Sequence, residues 1–186
     1  MKNAIILHGV RDKDEPESSM SGGHWIPWLK KNLESRGILT DTPELPNPVF
    51  GKCKYDEWLR EFLKSKVNKD TILIGHSAGG GFLIKYLSLN PDVKCDRLVL
   101  VAPWLDTEHE CGEFLSGFEL DKKLPERVAQ IDLFYSTDDD DFILKSVDKI
   151  RETYPKIKVH EFFDKGHFCK DDLKSLEFPE LLEVIK

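Results

Sequence analysis

The run Thr71-Ile-Leu-Ile-Gly-His-Ser-Ala-Gly-Gly80 places a candidate serine nucleophile in a glycine-flanked turn. It sets Gly-x-Ser-x-Gly directly after a short apolar stretch and before a helix-like one. In that setting Ser77 occupies a tight, strained turn, and Gly75 and Gly79 let neighbouring backbone pass without a Cβ clash. The hydroxyl then stands at the start of a helix, where the Ala78 N–H and the positive end of the helix dipole favour an oxyanion. The competing reading of the pentapeptide alone is an ordinary glycine-rich turn with Ser77 as a helix cap.

A serine hydroxyl is a poor nucleophile at neutral pH and needs a base, itself oriented by an acid. Where this turn is used, the expected chain order is Ser, then Asp or Glu, then His. Of the six histidines, His109, His160 and His167 follow Ser77. His160 lies within the last predicted strand and His109 in an irregular segment. His167 follows that strand in Phe-Phe-Asp-Lys-Gly-His-Phe, a loop expected on the same rim as Ser77, and is the candidate base. His76, next to Ser77 on a tight turn, diverges from it and is read as packing or as support from behind the site.

The acid is expected just past the apolar run 131–135, among four consecutive aspartates, Asp138 to Asp141. One imidazole cannot engage all four, and such a run is commonly a solvated face or a helix N-terminus. Position ahead of the next helix, anchored by Phe142, selects Asp139, while Asp138 and Asp140 stay open. A calcium loop spaces its ligands at alternate positions, whereas contiguous carboxylates diverge, so no metal is expected there. The first strand ends in Leu7-His-Gly-Val, where Gly9 allows a bend and the Val10 N–H becomes the second oxyanion donor. His8 either buttresses that loop or touches substrate, and Trp104 is the other candidate substrate contact.

These residues need a scaffold that brings three distant loops to one rim. Apolar runs at 4–7, 71–74, 98–101, 131–135 and 159–162, with a weaker one at 37–42, alternate with helical patterns at 25–35, 55–66, 80–89, 142–154 and 177–186. Continuously apolar strands separated by amphipathic helices predict an α/β fold with a mostly parallel sheet of about six strands, covered on both faces. The piece 103–128 loses this pattern and predicts a loop with short helical turns. Its apolar residues Leu105, Phe114, Leu115 and Phe118 are expected mainly as a small core beneath it.

The 186 residues suit one domain, 1–186, and the charge of -7 with 34 acidic against 27 basic residues argues against nucleic acid as a partner. No apolar run approaches the roughly 20 residues of a membrane span and no leader is read at the start, which predicts a cytoplasmic protein. The cysteines at 53, 95, 111 and 169 form no C-x-x-C pair and are expected as reduced thiols, and Cys169 beside His167 lacks the further ligands of a metal site.

His8-Gly9, His24-Trp25-x-x-Trp28, Leu45-Pro-Asn-Pro48, Trp58, Gly75-His-Ser-x-Gly79, Ser136-x-Asp-Asp139 and Gly166-His-Phe168, in that order, resemble the small serine hydrolases typified by retinoblastoma-binding protein 9 and the bacterial YdeN proteins. The resemblance spans nearly the whole chain. It implies a compact α/β-hydrolase without a large cap, a triad of Ser77, Asp139 and His167, no cofactor, and hydrolysis of ester or amide bonds in small molecules. Two departures stand out. After Asp139 the chain continues Asp140-Asp141-Phe142-Ile143 instead of turning apolar at once. Nor is there a Leu-x-Cys-x-Glu segment, His109-Glu-Cys-Gly-Glu113 being the nearest string, so binding to the retinoblastoma protein is not implied. The expected enzyme is carboxylesterase-like, with peptidase or thioesterase activity behind it, and the alternative is a hydrolase-shaped interaction module.

Overall fold

The computed structural model describes residues 2–14 and 20–185. Six strands, β1 (Asn3–Leu7), β2 (Leu39–Asp41), β3 (Thr71–His76), β4 (Cys95–Val101), β5 (Val128–Ser136) and β6 (Lys158–Phe162), form one sheet in the order β2-β1-β3-β4-β5-β6. Every neighbouring pair is parallel. β1 and β3 are buried at every residue, as the continuous Ile and Leu of their sequences require when both faces are covered.

The helices are α1 (Ile26–Ser35), α2 (Tyr55–Phe62), α3 (Ala78–Leu89), α4 (Asp141–Thr153), α5 (Lys170–Leu173) and α6 (Pro179–Val184). From β1 the chain steps outward to β2, then crosses back past β1 to β3 and continues in one direction. With right-handed crossovers, that reversal puts α1 on one face and the later crossover helices on the other. Packing agrees. Trp25, at the head of α1, meets Phe178 at the head of α6, while Trp58 and Phe62 of α2 meet Phe82 of α3. Arg36 then donates to the carbonyls of Leu182 and Ile185 and ties α6 beside α1. The reversal also creates a crevice between the carboxyl ends of β1 and β3, where ligands bind in open parallel sheets.

Several boundaries differ from the sequence expectations. α2 stops at Phe62 and not at 66, because Lys64 and Ser65 turn back through tight i to i−3 hydrogen bonds. α3 starts at Ala78, two residues earlier than its glycines suggest. Backbone approach explains the glycines: a Cβ on Gly81 would lie 1.9 Å from the Trp104 carbonyl oxygen. Packing against the next loop thus overrides their poor helix propensity. The last helix covers only Pro179–Val184, with Pro179 in its first turn, and Lys186 lies outside the described residues. The short helix α5 was not legible in the sequence.

The piece between β4 and β5 contains one 3₁₀ turn, Leu124–Glu126, and no cap domain. Lys85, on an otherwise apolar α3, donates to the carbonyls of Glu113, Phe114 and Ser116 and lies over the Tyr55 ring. Burial pushes its ammonium pKa down, and the three carbonyls accept the hydrogen bonds it would otherwise give to water. Leu105, Phe114 and Leu115 are buried in the core, as expected for a loop lying flat on the sheet layer.

Candidate active site

Ser77 follows β3 with φ 52° and ψ −122°, a conformation that L-residues rarely hold and that marks a strained turn. Its backbone is fixed on both sides: the N–H donates to the Val101 carbonyl at 2.9 Å, and the carbonyl accepts from the Trp104 N–H at 3.0 Å. The β1 loop comes so near that a Cβ on Gly9 would sit 2.8 Å from the Ser77 Cβ. That approach brings the turn after β1 directly against Ser77 at the head of α3. Neither the Val10 nor the Ala78 N–H takes part in the loop and turn hydrogen bonds of the described residues.

β5 ends in Ser136, and a turn closed by the Asp139 N–H on the Ser136 carbonyl presents Asp139 to the interior. Its carboxylate accepts from His167 Nδ1–H at 3.0 and 3.1 Å and from the Asp140 N–H at 2.8 Å. Because a carboxylate only accepts, this contact places the proton on Nδ1 and leaves the Nε2 lone pair available on the neutral ring. The Asp139 side chain is 1% exposed and that of His167 27%, so the carboxylate is sealed while the imidazole reaches solvent. Ser77 and His167 line one cavity of about 510 Å³, within the range of small-molecule sites. Among the described residues no hydrogen bond joins the Ser77 hydroxyl to that ring, and such contacts commonly tighten only when substrate is bound.

The neighbouring aspartates have separate partners. Asp138 accepts from the Ser136 hydroxyl and from the Gly166 N–H. The Ser136 hydrogen bond holds its carboxyl below the usual range. Asp140 sits at the N-cap of α4 and borders the cavity. The side chain in contact with the imidazole is therefore Asp139, and the divergence of consecutive residues in a turn explains why only one can be.

His8 requires a correction. It is buried away from the cavity, where Nδ1–H donates to the Gly9 carbonyl at 2.7 Å and Nε2 accepts from the Leu45 N–H at 2.9 Å. With both nitrogens committed and the ring edge-on to Trp58, it buttresses the β1 loop and touches no substrate space. Burial lowers its pKa and keeps it neutral. Trp104 does border the cavity, stacked on Phe50 at 5.5 Å with Phe142 edge-on at 6.3 Å. Phe50 and Phe142 come from segments far apart in sequence, and no local pattern marked them as a wall.

Sequence reasoning also missed Asp172, which accepts from the N–H groups of His167 and Cys169 at 3.0 and 3.1 Å. The only signal was a capping-box spacing, Cys169-x-x-Asp172, with an unusual cap residue. Among the described residues no group of three or more His, Cys, Asp or Glu is placed to hold a metal, and no helix is long and apolar enough to cross a membrane.

An α/β-hydrolase fold with a strained serine on the rim beside a His–Asp pair defines the class, and comparison with known proteins gives the family. The chain belongs to the serine hydrolase family, whose model matches residues 4–173. It is 27% identical over 177 residues to YdeN of Bacillus subtilis strain 168, covering 92% of this chain and 88% of that protein. The crystal structure of the B. subtilis ydeN product superposes with a TM-score of 0.81 at 24% identity, over 100% of this chain and 97% of the other. Est1E of Butyrivibrio proteoclasticus, solved with ferulic acid bound, shares the fold with a TM-score of 0.63 at 14% identity, over 100% and 87%.

Proposed function

We propose that the protein hydrolyses ester bonds of small substrates through an acyl-enzyme, with amides or thioesters as further substrates. Ser77 Oγ attacks the carbonyl carbon while His167 Nε2 takes its proton. Asp139 keeps the imidazole in the required tautomer and stabilises the imidazolium. The N–H groups of Val10 and Ala78 receive the tetrahedral oxyanion, and His167 returns the proton to the leaving alcohol. Water then attacks the acyl-enzyme by the same route and releases the acid. Trp104 forms part of the substrate wall.

The observation that carries this reading is the sealed Asp139–His167 contact opening onto the same cavity as a serine in a strained turn. Storing strain and burying a carboxylate are both costly, and neither is needed by a surface that only binds a partner. A fluorophosphonate probe tests it. The folded protein should be labelled at Ser77, and Ser77→Ala should lose both the label and hydrolysis of p-nitrophenyl butyrate. Equal labelling of the alanine variant would defeat the assignment and favour the interaction module.

A further inference from the structure

The loop carrying His167 has no strand or long helix to fix it, yet its backbone polar groups are taken by side chains from three other segments. Lys165 N–H donates to Ser136 Oγ at 3.0 Å and Gly166 N–H to Asp138 at 3.1 Å. At His167 itself the N–H donates to Asp172 Oδ2 at 3.0 Å, and the carbonyl accepts from His76 Nε2–H at 2.8 Å. Gly166 has φ 45°, and a Cβ there would lie 2.7 Å from the Asp172 carboxyl carbon, so the loop is seated directly on that side chain. The His76 ring packs against the rings of His167 at 4.9 Å, His24 at 5.8 Å and Trp25 at 5.9 Å, and is buried.

We propose that His76 and Asp172 are positioning residues that clamp the backbone of His167 from both sides and so set where its ring meets Ser77. This rests on the proposed role of His167 as base. Asp139 fixes the ring at Nδ1, but one contact at the ring leaves its Cα free to shift with the loop. His76 removes that freedom from a particular place: it is the residue before Ser77, at the rigid end of β3. The base is therefore tied to the nucleophile's own backbone through one hydrogen bond, and β3 and the His167 loop cannot drift apart without breaking it.

The carbonyl acceptor requires that Nε2 of His76 carries a proton. Burial, followed by the neighbouring His167 and His24, pushes the His76 pKa well below its ordinary value. The ring stays neutral beside the imidazolium that His167 becomes during turnover. A charged residue in its place would oppose that step.

Four variants test the clamp, with p-nitrophenyl butyrate as substrate and Ser77→Ala as the background rate. His76→Phe keeps the ring volume without a donor, while His76→Gln restores a donor. Asp172→Ala removes the acceptor, while Asp172→Asn restores one. Misplacing a reacting group by about 1 Å costs on the order of 10²-fold. His76→Phe and Asp172→Ala should therefore each lower kcat by about 10- to 100-fold with KM changed by less than about threefold. The Gln and Asn variants should recover most of the loss, which a merely structural defect would not predict. Folding is followed by circular dichroism and Tm, and the Asp172 pair decides the matter if His76→Phe fails to fold. A folded donor- or acceptor-less variant within about threefold of the wild-type kcat would overturn the clamp, as would restoring variants no better than the deletions. A Ser77→Ala rate equal to wild type would instead strike the triad and the clamp together.

Discussion

Replacing Ser77 by glycine should give a more stable protein than replacing it by alanine, although both lose the hydroxyl. At φ 52° and ψ −122° the residue lies outside even the left-handed helical region, where the ψ of L-residues is positive, so alanine inherits the full strain of the turn. Strained positions of this kind cost about 1–3 kcal/mol, and the upper end applies here, about 3 kcal/mol. Glycine escapes that cost but gives up about 0.7 kcal/mol through the greater freedom of its unfolded chain. It also forfeits the burial of one methyl-sized group, about 0.8 kcal/mol, since Ser77 is only 7% exposed. The balance favours glycine by about 1.5 kcal/mol. For a chain of 186 residues this corresponds to a Tm higher by about 3–6 °C. Urea and thermal unfolding of Ser77→Gly and Ser77→Ala side by side measure it, with probe labelling to verify that both are inactive. A glycine variant equal to or less stable than the alanine variant would refute the claim that the Ser77 turn stores strain.

Asn substitutions across the acidic run should separate its members: Asp139→Asn should lower turnover by about 10⁴-fold by leaving His167 in the wrong tautomer, while Asp138→Asn and Asp140→Asn cost far less. Equal, mild losses at all three would place the acid elsewhere. Short p-nitrophenyl esters, acetate to butyrate, should be cleaved with kcat/KM at least about tenfold above the palmitate, because Lys85 holds the 102–127 segment down and Phe114 and Leu115 are spent in the core. A preference that climbs with chain length would show that this segment acts as a lid. His76 and His8 have native pKa values below the unfolded 6.5, so as pH falls the unfolded chain takes up protons first and stability declines below about pH 6.5. The slope is at most about 1.4 kcal/mol per pH unit for each proton, and His76→Phe should remove one proton's share of it between pH 6.5 and 5.5. Urea midpoints at pH 7.5, 6.5 and 5.5 measure this, and an unchanged slope in the variant would show that His76 takes up its proton as readily in the native as in the unfolded state.

The strained turn at Ser77 and the buried strands were legible in the local sequence. The Gly75-x-Ser77-x-Gly79 spacing works through close backbone approach within a few residues, and the apolar runs of β1, β3, β4 and β5 are buried strands wherever the helices fall. Asp139 could be ranked first among its neighbours because its position before α4 is a local property, but a one-dimensional chain does not say which of three adjacent carboxylates turns inward. That was decided by the turn after β5, which sends Asp138 to Ser136 and Gly166 and Asp139 to His167. His8 shows the opposite limit. The same Leu-His-Gly string fits a substrate contact or a buttress, and only the arrival of the Leu45 N–H and the Trp58 ring from other segments settles it as a buttress. The aromatic wall of Phe50, Trp104 and Phe142 and the clamp of His76 and Asp172 are likewise products of tertiary structure. The wall and the His76–His167 contact join residues dozens of positions apart, which leaves no periodicity or spacing for a sequence to display, whereas Asp172 lies five residues from His167 and shows only as a capping-box spacing.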